Sequence, residues 1–288
     1  MGPGERVDTP AGASEEPEFL GSRDERMFGM RHLPDGPIRG GVVIASPVHG
    51  EMVKNYRREV LVARELAVRG FAVQRFHYRG TGHSHGDGED LTLDSMVEDL
   101  DDARRALTRA TGVEQPVLLG TRLGALAAIA ANDRRGPVAL WEPIVAPARH
   151  LREMDRMRTM RAAANRAEKA ESIADELARH EVVDVLGYPV TKGFVTSLQG
   201  FAIDAAPVPA AGFVLQMRKR ETLEKSYLEL QTTWEAQGCP TEVTSVVDDS
   251  SWWFARDAAT GDWTYATTRP GIEATCSWIE RVVDEGAP

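Results

Sequence analysis

Apolar runs and amphipathic stretches alternate along most of the chain, and the alternation predicts a layered α/β architecture. The run Gly40–Val48 (GGVVIASPV) is unbroken and rich in Val and Ile, as a strand buried on both faces requires. A helix around Tyr56–Arg69 separates it from FAVQRFHY (71–78). A long acidic helix around Leu91–Thr111 separates that from PVLLGT (116–121). A third helix from Leu123 leads to PVALWEP (137–143), and GFVLQMR (212–218) and TEVTSVVDD (241–249) flank a helix near Thr222–Gln237. Strands alternating with helices predict a mainly parallel sheet flanked by helices and joined by right-handed crossovers. Ahead of them, Glu18–Gly36 has two extended pieces around a polar turn, which predicts an antiparallel hairpin.

The pattern fails at both ends of this series. Residues 1–16 are rich in Gly, Pro, Ser and Glu and read as a flexible tail, since they bury too little surface to offset the entropy of ordering. Between the strands at 137–143 and 212–218 stands a highly charged helical stretch, residues 149–180, followed by VVDVLGYPVTKGFVTSLQGFAID. Leu151, Met154, Met157 and Met160 recur near helical spacing, but the apolar face is too thin for a sheet-covering crossover. This predicts a core of 17–146 and 207–288 interrupted by a helical cap over 147–206, the other reading being a surface helix with a long connection.

Bulk composition narrows the partners. The length of 288 residues suits one large domain, and 44 acidic against 34 basic residues give a net charge of −10, which argues against nucleic acid. Two cysteines, Cys239 and Cys276, make no disulfide framework and have no metal-binding spacing. The first twenty residues lack the apolar core of a signal peptide, and no apolar run approaches the ~20 residues of a membrane span. These features predict a cytoplasmic protein that does not span a membrane.

Three loops then carry the candidate chemistry. SPVHGEM follows the first parallel strand, FHYRGTGHSHGDGED the second, and GTRLG (Gly120–Gly124) the third. Together with LWEP they resemble the α/β-hydrolase superfamily, in particular its serine aminopeptidase-like branch and the hydrolases associated with exosortase systems, over about residues 18–285. The resemblance implies the α/β-hydrolase fold with an inserted cap, and an ancestral chemistry of ester, thioester or amide cleavage. It puts His49-Gly50 where one oxyanion-hole amide arises and GTRLG at the nucleophile elbow, the strand-to-helix turn that presents the serine.

The residues such catalysis needs do not follow. The elbow residue is Arg122, whose guanidinium is always protonated and has no lone pair for a carbonyl carbon. RKRETLEK stands where the resemblance implies the acid turn and SSWWF where it implies the histidine, and no histidine occurs after His180. The triad reads as degenerate.

Other candidates compete with plainer readings. Ser84, flanked by His83 and His85, is either a displaced nucleophile or a hydroxyl that stabilises its turn. His77, His83, His85, Asp87 and Asp90 offer zinc-type donors, but the glycine-rich turn fixes no ligand spacing, so no metal or cofactor is expected. Arg122 pairs structurally with Glu142 or, beside the helix start at Leu123 and with Thr121, forms an anion site, and the two are compatible if Glu142 holds the arginine until a ligand competes. Trp252 and Trp253 either line the pocket or cover the end of the core. Three functions follow. A pseudohydrolase would bind an anionic small molecule, an acyl or peptidyl intermediate, or a partner enzyme, through Arg122, Thr121, Leu123, His49, Gly50, Glu142, Trp252 and Trp253. A lyase, isomerase or decarboxylase would use Arg122 and the His49-Gly50 loop to stabilise an anion, with His49, Glu51 or Glu142 as base. A conventional ester or amide hydrolase would carry a displaced nucleophile.

Overall fold

The computed structural model describes residues 7–8, 12–21, 25–132, 136–165, 171–219, 221–247 and 269–286. Among them, nine strands form one sheet in the order β1-β2-β3-β5-β4-β6-β7-β10-β11. These are β1 (Val7–Asp8), β2 (Ala13–Leu20), β3 (Met27–Pro34), β4 (Gly40–Ala45), β5 (Phe71–Phe76), β6 (Val117–Thr121), β7 (Val138–Trp141), β10 (Gly212–Arg218) and β11 (Thr241–Val247). The pairs β1/β2, β2/β3 and β3/β5 are antiparallel, and every pairing from β5 through β4 to β11 is parallel. The mainly parallel, helix-flanked sheet is therefore as expected.

Alternate residues of each strand feed opposite faces, as a pleat requires. Val42, Ile44, Val73, Leu119, Phe213 and Leu215 pack against α1 (His49–Val68) and α8 (Arg269–Asp284). Val43, Ala45, Ala72, Leu118, Leu140 and Val214 pack against α2 (Leu93–Thr111), α3 (Leu123–Ala130) and α7 (Lys225–Glu235). Helix α1 begins at His49 rather than near Tyr56, so the His-Gly pair forms a first helical turn instead of an open loop.

Two expectations need correction. The sheet reaches into the segment expected to be a tail: β1 pairs with β2, and β2 begins with buried Ala13 and Ser14. Main-chain pairing supplies what apolar content could not, and the acidic residues of β2 are neutralised locally, Glu15 by Arg64 and Glu16 by Arg31. The insertion is also not one long helix with a connection. It comprises α4 (Pro147–Ala164), α5 (Ile173–Arg179), an antiparallel hairpin of β8 (Val182–Val185) and β9 (Tyr188–Thr191), and α6 (Lys192–Gly200). Ser172 starts α5 afresh, its hydroxyl accepting from the Asp175 amide. Met154, Leu177, Val183, Val190, Phe194 and Leu198 join the same apolar cluster as α2 and α3.

Candidate functional site

The turn from β6 to α3 is held in an unusual backbone state. Arg122 has φ 55° and ψ −117°, a conformation strained for a residue with a Cβ. Its amide donates to the Trp141 carbonyl at 3.0 Å, and its own carbonyl accepts from Ala125 at 3.1 Å. The flanking glycines explain how the turn closes. A Cβ at Gly120 would lie 2.6 Å from both the Ala125 Cα and the Gly124 oxygen, and one at Gly124 would fall on the carbonyl oxygens of Ala45 and Ser46. Helix α3 therefore packs backbone to backbone against the end of β4, and the two glycines are a steric requirement of that approach.

Arg122 is only 5% exposed, and its side chain is held between carboxylates. Its Nε and Nη2 donate to the Glu51 carboxylate, at 3.3 Å to Oε2 and 3.3 Å to Oε1. Nη2 also reaches Glu153 Oε2 on α4 at 3.4 Å. Burial works against the charge, but Glu51 first, then Tyr227 and Glu153, hold the guanidinium pKa above its ordinary value. The expected partner, Glu142, offers Arg122 only its main-chain oxygen, at 3.4 Å. Its fully buried carboxylate turns away, accepting from the Met217 amide at 2.7 Å, Arg218 Nη2 at 3.0 Å and the Tyr227 hydroxyl at 3.0 Å. Glu142 itself has φ 45°, and that positive φ at the end of β7 accompanies a carboxylate directed toward β10 rather than the β6–α3 turn.

The pairs join into one chain of alternating charge. Glu153 also meets Arg149 at 3.4 Å, Arg149 lies 3.9 Å from Glu224, and Arg218 pairs with both Glu224 and Glu142. Within it opens a small cavity of about 80 Å³, walled by Arg122, Arg218, His150, Glu153, Ser226 and Tyr227 and by the apolar turn Pro143–Ala146. His150 is 4% exposed, its Nδ1 has no hydrogen-bond partner among the described residues, and burial followed by the charge of Arg122 pushes its pKa down to about 3. Burial, then His150, lowers His49 to about 4. The His49 ring lies 5.5 Å from that of Tyr188 and 5.2 Å from that of Phe194, so the insertion covers the first turn of α1.

The site thus brings Arg122, Glu51, His49 and the Glu142 main chain together. Thr121 and Leu123 are buried beneath it, Leu123 within the apolar core, and Gly50 has the Tyr188 ring as neighbour. Trp252 and Trp253 lie outside the described residues. His150, Glu153, Arg149, Arg218 and Tyr227 were not foreseen. One signal for those on α4 existed: Arg149, His150 and Glu153 fall at i, i+1 and i+4, so α4 presents one polar stripe to the cavity.

The second loop does structural duty. Ser84 Oγ donates to the His77 carbonyl at 2.7 Å and accepts from the Phe28 amide at 2.9 Å, pinning the turn to β3. His77 Nδ1 accepts from the His83 amide at 3.1 Å, and Asp87 accepts from the Glu89 amide. Among the described residues no group of three or more His, Cys, Asp or Glu side chains could hold a metal ion. No described helix is long and apolar enough to cross a membrane.

No protein-family model matches the chain, and no curated protein does. Solved structures do match. Est1E from Butyrivibrio proteoclasticus, with ferulic acid bound, is 13% identical with a TM-score of 0.65, over 91% of this chain and 98% of that one. An esterase from Rhizomucor miehei is 11% identical with a TM-score of 0.61, over 95% of this chain and 85% of that one. XC6422 from Xanthomonas campestris, an α/β serine hydrolase without a lid, is 13% identical with a TM-score of 0.58, over 95% of each chain. This chain has the α/β-hydrolase fold. At such identities the likeness establishes the architecture, and activity must be argued from the site. Within the α/β-hydrolase fold of this chain, the cavity lies at the C-terminal ends of β6, β7 and β10, where open α/β sheets bind ligands.

Proposed function

We propose that this α/β-hydrolase-fold protein does not cleave esters or amides through an elbow nucleophile, and that it binds a small anionic molecule in the cavity beside Arg122, beneath α4 of the insertion acting as a cap. The observation that carries this reading is Arg122 itself, held at φ 55° on the β6–α3 turn with its guanidinium forked onto Glu51. An arginine in that position offers no nucleophile but supplies a fixed, buried cation with donors aimed at the cavity. The likeness of His49-Gly50, Tyr78–Ser84 and Leu140–Pro143 to the serine aminopeptidase-like branch supports descent from a hydrolase.

A lyase, isomerase or decarboxylase is less well supported. Its base would have to be His49 or His150, which burial holds at pKa about 4 and about 3, too weakly basic to abstract a proton from carbon near neutrality. Glu51 is committed to Arg122 and Glu142 to Arg218. One observation favours a different second reading, a displaced nucleophile: Ser226 and His150 line the same cavity.

Treatment with a fluorophosphonate probe followed by intact mass measurement tests both. The expected result is no adduct and no turnover of p-nitrophenyl acetate, and Arg122→Ser alone restores neither. Stoichiometric labelling of a serine, Ser226 foremost, would overturn the reading and return the chain to the serine hydrolases.

A further inference from the structure

The cavity's ion pairs constrain what can enter it. Among the described residues the connected ion pairs comprise four carboxylates (Glu51, Glu142, Glu153, Glu224) and three guanidiniums (Arg122, Arg149, Arg218), so an anion simply added to these pairs would meet an excess of negative charge. One of the carboxylates must move to admit it. Glu51 and Glu142 are buried and multiply bonded. Glu153 is different: its side chain is 35% exposed, it approaches Arg122 from the cap at a long 3.4 Å, and it has Arg149 within 3.4 Å. Turning it outward returns a carboxylate to water at small cost.

We infer that Glu153 is an internal stand-in for the ligand's carboxylate, and that the ligand is a short monocarboxylate that displaces Glu153 from Arg122 and lays its alkyl chain on the Pro143–Ala146 turn. This rests on the reading of the cavity as an anion site and adds to it the ligand class and the residue that controls access. The geometry supplies each part. Arg122 Nη2 already accommodates a carboxylate oxygen from the cavity side, at Glu153 Oε2. Pro143, Ile144, Val145 and Ala146 make the adjoining wall apolar, and about 80 Å³ has room for a chain of a few carbons. Because Glu153 is tethered, it competes at a high effective concentration, which makes the unmodified protein a weak binder. Binding also severs one of the links between α4 and the sheet, so occupancy loosens the cap.

Calorimetric or NMR titration with propionate and propionamide tests this on the full chain and on Glu153→Gln. Glu229→Gln, on the exposed face of α7 where Glu229 pairs with Lys225, controls for the change in net charge. Glu153→Gln is expected to bind propionate about tenfold more tightly than the unmodified protein, with propionamide weak in both and Glu229→Gln without effect. Propionate binding that Glu153→Gln leaves unchanged, or tightens no more than Glu229→Gln does, overturns the displacement while the anion site stands. Equal gains for acid and amide overturn the carboxylate assignment. Absence of propionate binding in every protein overturns the displacement and the anion site together.

Discussion

Arg122 and Glu51, 71 residues apart in sequence, meet as a two-pronged pair in which both members are nearly inaccessible, 5% and 8% exposed. The pair ties the strained β6–α3 turn to the first turn of α1, adding a contact of opposite charges to the backbone packing of α3 against the end of β4. Removing one partner strands the other. Glu51→Gln is expected to cost about 3 kcal/mol in urea unfolding, because a buried guanidinium loses its main countercharge. Replacing both residues, Glu51→Gln with Arg122→Gln, should recover part of the loss. A double variant as unstable as the sum of the two singles would mean that the pair does not couple.

Glu142 belongs to a different arrangement, with Arg218, Tyr227 and the Met217 amide. Tyr227→Phe removes the hydroxyl that donates to Glu142 Oε2 and should cost about 1 to 2 kcal/mol, while Glu142→Gln should cost about 3 kcal/mol by removing the buried charge that meets Arg218 and weakening the bond to the β10 main chain. Chemical denaturation of both variants checks the order, which reverses if Tyr227 rather than Glu142 is the hub.

Gly124 has no room for a side chain. Gly124→Ala would push a methyl into the carbonyls of Ala45 and Ser46, two backbone groups that cannot swing aside, so α3 must retreat from β4. The variant should lose several kcal/mol, on the order of the largest single-site effects, and appear mainly in the insoluble fraction. A soluble Gly124→Ala protein with an unchanged melting curve would show that α3 and β4 leave room for a methyl group.

His150 gives stability a definite pH dependence. Burial and the charge of Arg122 hold its pKa at about 3 in the fold against 6.5 in the unfolded chain. Between those values the unfolded chain binds the extra proton, so the stability present above pH 6.5 is lost as pH falls, at about 1.4 kcal/mol per unit. At pH 5 the unmodified protein should therefore have lost about 2 kcal/mol more than His150→Gln, each compared with itself at pH 7. Asp99, raised to about 6 chiefly by burial, has the opposite slope, but it is common to both proteins and cancels in the difference. Parallel pH curves for the two proteins would mean that the imidazole is hydrated.

The sequence by itself determined the layered architecture, because β4 to β7 and β10 are local apolar runs long enough to be buried on both faces, and α2 carries its amphipathic period over 19 residues. It also determined that the middle residue of Gly120–Gly124 is an arginine, and that no histidine follows His180. Which carboxylate meets that arginine was decided only by tertiary structure. Glu142 is the nearer choice along the sheet, yet its main chain, at φ 45°, delivers the carboxylate to β10. Glu51 comes within reach because α1 begins seven residues earlier than its apolar pattern suggests. The same holds for β2, whose acidic residues look like a tail until Arg31 and Arg64 are brought beside them, and for α4, whose charged stripe has meaning only over a cavity. Charge pairing acts between side chains that the fold brings together from anywhere in the chain, whereas apolar periodicity is written in consecutive residues. The architecture was therefore legible in the sequence, and the wiring of the site was not.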